Sequence, residues 1–517
     1  MKYIALIILI GFATSGFARV RSITPTQSTW SILNNLSPGD TVFLEDGVYT
    51  NFQVDIRGNG TATNPIIVRA RNYGAVRIEG AIRVRVSGSF ITVDGLHFRN
   101  GWASDGTVFQ FRTSNTAFAS DSRLTNSVFD SLQNPAFDIN NDSDRESWVG
   151  LYAGNRNRID HNYFGHKMVY GVIIFVDPRG APQTSPPSNH IIERNFFGHR
   201  PSRPDNGAET MRIGDSDRSM WSVGCTIREN VFFRTDGEIE IISIKSGDNL
   251  IENNLFFEAR GQVTCRHGHR NTIRNNVFIG NNVPNTSGVR VINFDQRVYN
   301  NWFQDLRGTG MRSALSVMKG LSDDCSLNSY YQVRNAEISY NTFINCASIT
   351  FGNNASWNSS YQTNPGGNAN CDNTQYPIID SRFRNNIIFN TALQRPFDTV
   401  VHAVPSITGI TFEGNIYRIA ANSTFARQGF SLRPTLNFVR NGLFYEIVPG
   451  GTMNCIPILT GQGGIPEIEA LPDVTGHPRL RPYTAGAVNS ENFGIPPKIP
   501  NLNEVGVRWY SYPQPTF

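Results

Sequence analysis

Two glutamates and a lysine that could take part in chemistry lie close together in DGEIEIISIKSGDN, residues 236–249. Glu238 and Glu240 are two residues apart, and residues with that spacing share one face of a strand, where like charges repel. A hard cation such as Ca²⁺ would relieve the repulsion, because it binds carboxylate oxygens. An ion-pair network with Arg212 or Lys245 would relieve it as well. The pattern predicts one of these two arrangements, on a strand whose isoleucines face a core.

The elements that must position these residues are repeats. Eight segments share a run in which β-branched or aromatic residues alternate with polar ones, followed by an asparagine and an apolar pair. The asparagines are Asn162, Asn195, Asn230, Asn254, Asn276, Asn301, Asn341 and Asn386. Their shortest spacings are 22 to 25 residues, and this length, with two-residue periodicity and no helical period, indicates an all-β, right-handed parallel β-helix. We interpret the asparagines as a stacked ladder that satisfies backbone groups at a turn.

The repeat length predicts which charged residues become neighbours. Arg266 follows Lys245 by 21 residues and Arg290 follows Arg266 by 24, close to one coil each time. One coil earlier, after an insertion, NGAETMRIG adds an amide, a carboxylate and a guanidinium, from Asn206, Glu209 and Arg212. Because coils stack about 4.8 Å apart, we expect four successive coils to project these side chains from one sheet.

Both ends of such a solenoid need covers, since an open end exposes the core and unpaired strand edges. The segment from Ser28, STWSILNNLSPGDTVFLEDGVYTN, is predicted to form a short amphipathic helix and then the first strand, as an N-terminal cap. From about Val448 the chain is rich in proline and glycine, and we expect this tail to pack along the coils. Residues 19–517 form a single domain in this interpretation.

The first residues predict export. MKYIALIILIGFATSGFARV has Lys2, a short apolar run and small residues up to Ala18, which is typical of a signal peptide over residues 1–18. The apolar run is too short to span a bilayer, and no cysteine follows it to carry a lipid anchor. The predicted protein is therefore secreted or periplasmic, without membrane insertion. Export permits disulfides, which are plausible at Cys325, Cys346 and Cys371.

The charge of the chain gives no argument for a nucleic-acid partner. The formal net charge is +4 for the whole sequence, and loss of Lys2 with the signal peptide lowers it to +3. Such a mild balance does not favour nucleic acid, although local basic clusters would suit an anionic ligand.

Four motifs in order, NGAETMRIG, EIEIISIKSGDN, TCRHGHRNTIRNNVFIG and SGVRVI, resemble polysaccharide lyase family 6, which contains alginate lyases and chondroitinase B. The resemblance covers essentially the whole chain after residue 18 and implies a right-handed parallel β-helix. It implies Lys245 as the catalytic base and Arg266 as the acid, with His267 beside it in the site. It also implies Ca²⁺ as the cofactor, with Asn206, Glu238 and Glu240 as ligands. Glu209 is the next candidate ligand if Asn206 does not bind.

The reaction that the resemblance implies is β-elimination at a uronic acid. The proton on C5 is removed and the 4-O-linked sugar is expelled, while Ca²⁺ would neutralise the substrate carboxylate. Lys245 would take the proton, and Arg266 would protonate or stabilise the leaving oxygen, with a tyrosine or water able to share that step. Because a lysine must lose its own proton before it can act as a base, we expect the rate to rise toward alkaline pH.

An anionic polysaccharide is the predicted partner. Alginate is the first choice of substrate, because NGAET and RIG together look more like the alginate-cleaving members of the family, and dermatan sulfate is the alternative. Arg212 and Arg290 are predicted to bind uronate carboxylates in neighbouring subsites. For each of them, a purely structural ion pair is the other interpretation.

The RHGH stretch has a rival interpretation. Strict strand alternation would place Arg266 and His267 on opposite faces, so both reach the substrate only if the chain bends near Gly268. Cys265, His267 and His269, spaced by two residues each, could instead hold zinc.

Two other functions use the same fold. A glycoside hydrolase would need clustered acids at a fixed separation, and the only adjacent aspartates, Asp323 and Asp324, lie away from the repeat-aligned cluster. A non-catalytic glycan-binding β-helix could use the same Ca²⁺ and arginines to hold an anionic chain. The product distinguishes them, since only elimination leaves an unsaturated uronate that absorbs ultraviolet light.

Overall fold

The chain folds into a parallel β-helix whose coils each contribute strands to three long sheets. The computed structural model describes residues 18–27, 29–180, 186–203, 206–320, 330–353, 376–390, 401–403, 409–419, 428–432, 436–448, 471–479, 485–489 and 492–516. Every strand pairing between coils is parallel, and the described residues contain no α-helix. The all-β, parallel β-helix prediction is confirmed.

Sheet 1 has 14 strands. They are Val20–Ile23, Thr41–Leu44, Ile66–Ala70, Ile91–Asp94, Arg123–Thr125, Arg158–Asp160, Ile191–Glu193, Thr226–Arg228, Leu250–Glu252, Thr272–Arg274, Arg297–Tyr299, Glu337–Ser339, Ser381–Arg384 and Ile410–Glu413.

Sheets 2 and 3 are joined through the long strand Val76–Ser89, which belongs to both. The other strands of sheet 2 are Gln53–Asn59, Thr107–Gln110, Ala119–Ser120, Ser147–Leu151, Ile174–Val176, Met211–Gly214, Glu240–Lys245, Gln262–His267, Val289–Val291, Leu315–Met318, Ile349–Asn353 and Val401–Ala403. The other strands of sheet 3 are Gly47–Thr50, His97–Ala103, Val128–Asp130, Tyr163–Gly165, Phe196–Phe197, Val231–Phe233, Leu255–Phe257, Val277–Ile279, Trp302–Gln304, Thr342–Ile344, Ile387–Asn390, Asn415–Ile419 and Phe430–Leu432.

Smaller elements lie outside the three sheets. An antiparallel hairpin joins Asn437–Asn441 to Phe444–Val448. Single 3-10 turns occur at Ser31–Asn34, Ser216–Arg218, Gly310–Arg312 and Leu502–Glu504.

The interior of the solenoid is a column of stacked side chains. One phenylalanine per coil stacks on the next with ring centroids 4.5 to 5.2 Å apart, in the series Phe129, Phe164, Phe197, Phe232, Phe256, Phe278, Phe303 and Phe343. Offset stacking at this separation is favourable for aromatic rings. The alternating apolar residues of the sequence repeat therefore form one continuous core.

The repeated asparagines form the predicted ladder, which is confirmed. The Asn230 side-chain Nδ2 donates to Asn254 Oδ1 at 3.0 Å, and Asn254 donates in turn to Asn276 at 3.0 Å. Each residue just before a ladder asparagine, such as Glu229, has a left-handed backbone with φ near 54°. The buried amides satisfy the backbone groups that this turn leaves without a strand partner.

The N-terminal cap differs from its prediction. The segment expected to be a helix forms only the 3-10 turn Ser31–Asn34, and the first strand, Val20–Ile23, precedes it. Trp30 at the N-terminal boundary provides no capping hydrogen bond, and no acidic residue lies in the first turn, so a longer helix lacks its usual start signals. Leu33 and Leu36 are nevertheless buried and cover the end of the core.

The described part of the tail lies along sheet 3. Asn300 donates to the Pro472 carbonyl at 3.2 Å, Gly506 donates to the Arg194 carbonyl at 2.8 Å, and the Trp509 indole donates to the Asn126 carbonyl at 3.1 Å. The tail thus runs back from late coils to early ones.

Some expectations fall on residues that the structure does not describe. These are residues 1–17 of the predicted signal peptide, Asp323, Asp324, Cys325 and Cys371. Cys346 is described, and it is a buried free thiol rather than half of a disulfide. No described segment forms a helix long and apolar enough to cross a membrane.

Candidate active site

Four neighbouring strands of sheet 2 bring the candidate residues together. Met211–Gly214 pairs with Glu240–Lys245, which pairs with Gln262–His267, which pairs with Val289–Val291. Arg212, Ser243, Thr264 and Arg290 are direct lateral neighbours on the outer face of these strands, while alternate residues such as Ile242 and Ile244 are buried in the core. The predicted rung order is confirmed.

Two β-bulges interrupt the pairing at the centre of the site. Glu240 pairs with Gln262 but Ile242 pairs with Val263, so Ile241 is an extra residue. Ile244 pairs with Cys265 but Lys245 pairs with His267, so Arg266 is an extra residue on the opposing strand. Bulges re-aim side chains, and this one gives Arg266 a direction that strict alternation would not allow.

The expected bend at Gly268 comes directly after this bulge. Gly268 has φ of +75°, and a Cβ there would lie 2.1 Å from the Ser246 carbonyl carbon. Only glycine allows the two coils to approach so closely. The backbone therefore turns away right after the candidate catalytic residues.

The two glutamates lie together, although only one belongs to the strand. Glu240 is the first strand residue, and Glu238 lies in the bend before it. Glu238 Oε2 accepts a hydrogen bond from the Gly207 N–H at 3.2 Å, while Glu238 Oε1 and Glu209 Oε2 are buried without a hydrogen-bond partner. Burial, then the negative charges of Glu209 and Glu240, raise the pKa of Glu238 well above its usual value.

Glu240 has cationic partners instead. The Arg290 guanidinium contacts its Oε1 and the Ser243 hydroxyl donates to its Oε2. Burial opposes ionisation of Glu240, but the charges of Arg290, Arg266 and Lys245 outweigh it and lower the pKa of this carboxyl. Arg290 is fully buried, so this ion pair is the structural alternative that the sequence left open for it, and its predicted contact with substrate stays a prediction.

Lys245 and Arg266 form the cationic side of the site, and His267 lies beside them. Lys245 and Arg266 are half-buried, and the Arg266 guanidinium lies 4.3 Å from the ring centroid of Tyr330. His267 is buried, and its Nδ1 has no hydrogen-bond partner. Burial, then the charges of Arg266 and Lys245, hold the pKa of His267 well below its usual value. The imidazole is therefore neutral and available for a hydrogen bond.

Arg212 and Asn206 lie at the edge of this group. Arg212 is half-buried, and its guanidinium is 5.9 Å from the Phe175 ring centroid. Asn206 is exposed, and its backbone carbonyl accepts from Arg145 at 3.2 Å. The adjacent Gly207 N–H contacts Glu238, so the Asn206 loop is held against the carboxylates.

The zinc interpretation is not supported. The described residues contain no group of three histidine, cysteine, aspartate or glutamate side chains placed to hold a metal. Cys265 is buried in the core, and the His269 ring stacks on Phe294 with centroids 4.6 Å apart. These three side chains therefore point to different surroundings.

Reasoning from the sequence missed two residues from inserted loops and one beneath the site. Arg312, in the turn Gly310–Arg312, has its pKa lowered by burial and by Arg290, against the opposing effect of Glu238. Tyr330 lies against Arg266. Neither position belongs to the repeat, so the repeat length could not predict that either residue lies near the site. Arg200, fully buried below the Asn206 loop, donates to the Glu209 carbonyl at 2.7 Å.

Comparisons with known proteins identify relatives of this chain. The family model described as Chondroitinase B matches residues 23–450. The structure of the PL6 family alginate lyase AlyGC is similar with a TM-score of 0.76 and 31% identity, covering 96% of this chain and 60% of that chain. The present chain thus spans 60% of the length of that protein.

Two further structures extend the comparison. A mannuronic acid specific polysaccharide family 6 lyase from human gut microbiota has a TM-score of 0.70 and 32% identity, covering 80% of this chain and 91% of that chain. A PL6 alginate lyase in complex with a trisaccharide shares the fold with a TM-score of 0.66 and 23% identity, covering 84% and 92% of the two chains. A search of the curated proteins found no match.

Proposed function

The chain belongs to the chondroitinase B family, polysaccharide lyase family 6, and from this membership we propose that it cleaves a uronate-containing polysaccharide, alginate, by β-elimination. The observation that carries the proposal is the placement of Lys245 and Arg266 on paired strands beside a cluster of carboxylates. Alginate is favoured because the two family members at 31 and 32% identity include an alginate lyase and a mannuronic acid specific lyase. Dermatan sulfate is the second candidate, in keeping with the chondroitinase B family model.

The chemistry of the donors, two carboxylates and an amide oxygen, suits a calcium ion. Glu238 Oε1 and Glu209 Oε2 are buried acceptors without a hydrogen bond, and buried carboxylates without partners are costly unless a cation or a proton is present. We propose that Glu238 and Glu240, with the amide of Asn206, hold Ca²⁺. Glu209 is a neighbour of this site rather than a ligand, because the described residues do not bring three carboxylates into one metal-binding group. When bound, the ion would neutralise the substrate carboxylate and stabilise the negative charge that develops on it.

The remaining chemistry belongs to side chains of this chain. Lys245, as the neutral amine, accepts the C5 proton; the C4–C5 double bond forms and the bond from C4 to the leaving oxygen breaks. Arg266 donates to that oxygen, and the face of Tyr330 holds the guanidinium in place. His267, neutral because of its burial, orients the substrate through a hydrogen bond.

The test is ultraviolet absorbance during incubation with alginate and, separately, with dermatan sulfate, each with Ca²⁺ and with a chelator. We expect calcium-dependent absorbance on alginate, and its loss by a factor of about 10² or more in Lys245→Ala. Lys498→Ala, an exposed lysine in the tail, is the matched control and should behave as wild type. Absorbance on dermatan sulfate alone would show that dermatan sulfate, not alginate, is the substrate. Binding of both polymers without absorbance would favour the glycan-binding alternative.

A further inference from the structure

Two apolar clusters on the outer face of sheet 2 flank the candidate active site, and both are separate from the solenoid core. The early cluster consists of Tyr152, Val172 and Phe175, with Phe118 packed against it. The late cluster consists of Ile292, Met318 and Tyr330, with Met311 packed against it.

The early cluster covers the sheet directly before the strand of Arg212. Phe175 has Arg212 as its lateral neighbour on one side and Gly150 on the other. A Cβ at Gly150 would lie 2.6 Å from Phe175 Cζ, so the phenylalanine ring also covers the strand of Gly150. The Tyr152 ring meets the Phe175 ring edge to face, with centroids 5.4 Å apart. The groove over sheet 2 is therefore closed at this end by side chains.

The late cluster covers the sheet directly after the strand of Arg266. Arg290 and its lateral neighbour Ser316 are fully buried, although they face outward between residues of the core. Met318, on the same strand as Ser316, is fully buried as well and packs in one cluster with Tyr330. The insertion that carries Tyr330 therefore closes the groove at its other end.

Between the two clusters, three paired strands form the floor of the groove. They carry Arg212, Lys245 and Arg266, which are half-buried. The outer two cations lie against the clusters, since Arg212 is 5.9 Å from the Phe175 ring centroid and Arg266 is 4.3 Å from the Tyr330 ring centroid. Because adjacent strands lie about 4.8 Å apart, close to the length of one 4-linked sugar unit, this floor has room for about three units.

We propose that the candidate active site is a short groove, closed at both ends by these clusters, which holds about three uronate units and favours the ends of the polymer. An internal stretch of the polymer would have to leave the groove over both clusters, whereas a chain end leaves it over only one. Further units extend into solvent and gain no contact with the floor. The identity of the sugar and its cleavage rest on the proposed function, whereas the length limit rests on the two clusters.

The first test is calorimetric binding of the alginate disaccharide, trisaccharide, tetrasaccharide and hexasaccharide to Lys245→Ala, which should bind them without cleavage. We expect the affinity to rise up to the trisaccharide and then to level off. Affinity that keeps rising up to the hexasaccharide, or no binding of any of these sugars, would overturn the proposal.

Variants of the clusters show whether the clusters set this limit. In the same background, Phe175→Ala uncovers the floor at the early end, and Met311→Ala does so at the late end. We expect each variant to bind the hexasaccharide about fivefold more tightly than the trisaccharide, as for roughly one added hydrogen-bonded contact. The matched control is Phe43→Ala, which removes a half-buried phenylalanine under Arg71 on sheet 1 and should keep the original length dependence. The same length dependence in all three folded variants would contradict the role of the clusters.

The mode of cleavage separates this inference from the lyase function. With Lys245 intact, ultraviolet absorbance and viscosity are followed together during incubation with alginate. We expect absorbance to rise while viscosity falls slowly, with short oligosaccharides as the main products from the start. A rapid fall in viscosity at low absorbance would overturn the preference for chain ends and leave the lyase function standing. Binding that levels off at the trisaccharide, without any absorbance, would instead overturn the lyase function and leave the short groove standing.

Discussion

At the scale of single residues, the bulge at Arg266 is what places a guanidinium beside Lys245. We expect Arg266→Lys to fold normally and to lose activity by a factor of about 10², because an ammonium group cannot reproduce the planar stacking on Tyr330. The measurement is the initial rate of ultraviolet absorbance on alginate, with the thermal unfolding midpoint as a check on folding. Arg156→Gln serves as the control, and activity of Arg266→Lys near the wild-type level would contradict the role of this side chain.

Arg200 is a second residue whose replacement should have a large effect, although its side chain is fully buried. It donates to the Glu209 carbonyl at 2.7 Å and to the Gly171 carbonyl at 2.7 Å, and burial lowers its pKa to about 10. Arg200→Met leaves these buried carbonyls without donors, so we expect a loss of about 3 kcal/mol in the free energy of unfolding.

The Arg200 variant also tests the calcium proposal without an activity readout. Because Arg200 holds the backbone beside Glu209, we expect the Ca²⁺ affinity of Arg200→Met, measured by calorimetry, to fall. Arg234→Met, which removes an exposed partner of Glu258, should change stability by no more than about 1 kcal/mol and leave Ca²⁺ affinity unchanged. Identical behaviour of both variants would rule out the positioning role.

How much of the site could be predicted depended on whether a residue obeys the repeat. Lys245, Arg266 and Arg290 could be assigned to adjacent coils because the period makes residues one repeat apart lateral neighbours. The exact pairing partner of Lys245 could not be predicted, because a bulge inserts one residue and shifts the pairing from Arg266 to His267. Tyr330 lies in an insertion, where spacing carries no positional information.

At the scale of elements, the turns between strands hold the coils in register, and one of them contains a titratable group. His190 is fully buried at the turn before sheet 1; its Nδ1 accepts the Asn157 N–H at 3.2 Å, and its Nε2 lies 3.1 Å from the Tyr152 carbonyl. Asn249 and Asn271 accept backbone N–H groups at the equivalent turns of later coils. His190 therefore acts as a rung of a second ladder.

This ladder position predicts a pH-dependent stability. Burial lowers the pKa of His190 from 6.5 to about 4, so its stabilising contribution is present above pH 6.5 and is lost as pH falls toward 4. The full loss is about 3 kcal/mol. Chemical unfolding of wild type and His190→Asn across this range should show a smaller decrease for the variant, whose amide accepts the same N–H without titrating. Parallel curves for the two proteins would contradict this account.

Elements that end the repeat were harder to predict than the repeat itself. The N-terminal segment has the apolar residues of a short helix, Leu33 and Leu36, but it lacks a cap and an acidic first turn. Packing against the first coil needs only those buried leucines; the 3-10 turn supplies Leu33, and Leu36 follows it as a bridge partner of Gly58. Local helical patterning was therefore overridden by the geometry of the solenoid end.

At the scale of the whole molecule, the tail stabilises sheet 3 rather than the candidate active site on sheet 2. The Tyr512 ring lies 4.4 Å from the ring centroid of Tyr163 and 4.6 Å from that of Phe196. We expect Tyr512→Ala to lower the free energy of unfolding by about 2 kcal/mol, because a half-buried aromatic contact is lost.

The catalytic rate, unlike the stability, should not depend on Tyr512. The rate on alginate at low temperature should be unchanged in Tyr512→Ala, since its contacts lie on another face. Leu432→Ala, which truncates an exposed leucine, should alter stability by no more than about 0.5 kcal/mol. A large fall in rate for folded Tyr512→Ala would show that the tail also shapes the active site.

The return of the tail to early coils has a further consequence for folding. In a β-helix each coil contacts only its neighbouring coils. The coils at either end can therefore unfold without the rest of the solenoid. The Tyr510 hydroxyl, however, contacts Asp130 across 380 residues of sequence, and Trp509 reaches Asn126 across 383. These contacts couple the unfolding of distant coils. The described tail therefore makes the coils unfold as one cooperative unit, which is complete only when the tail has docked.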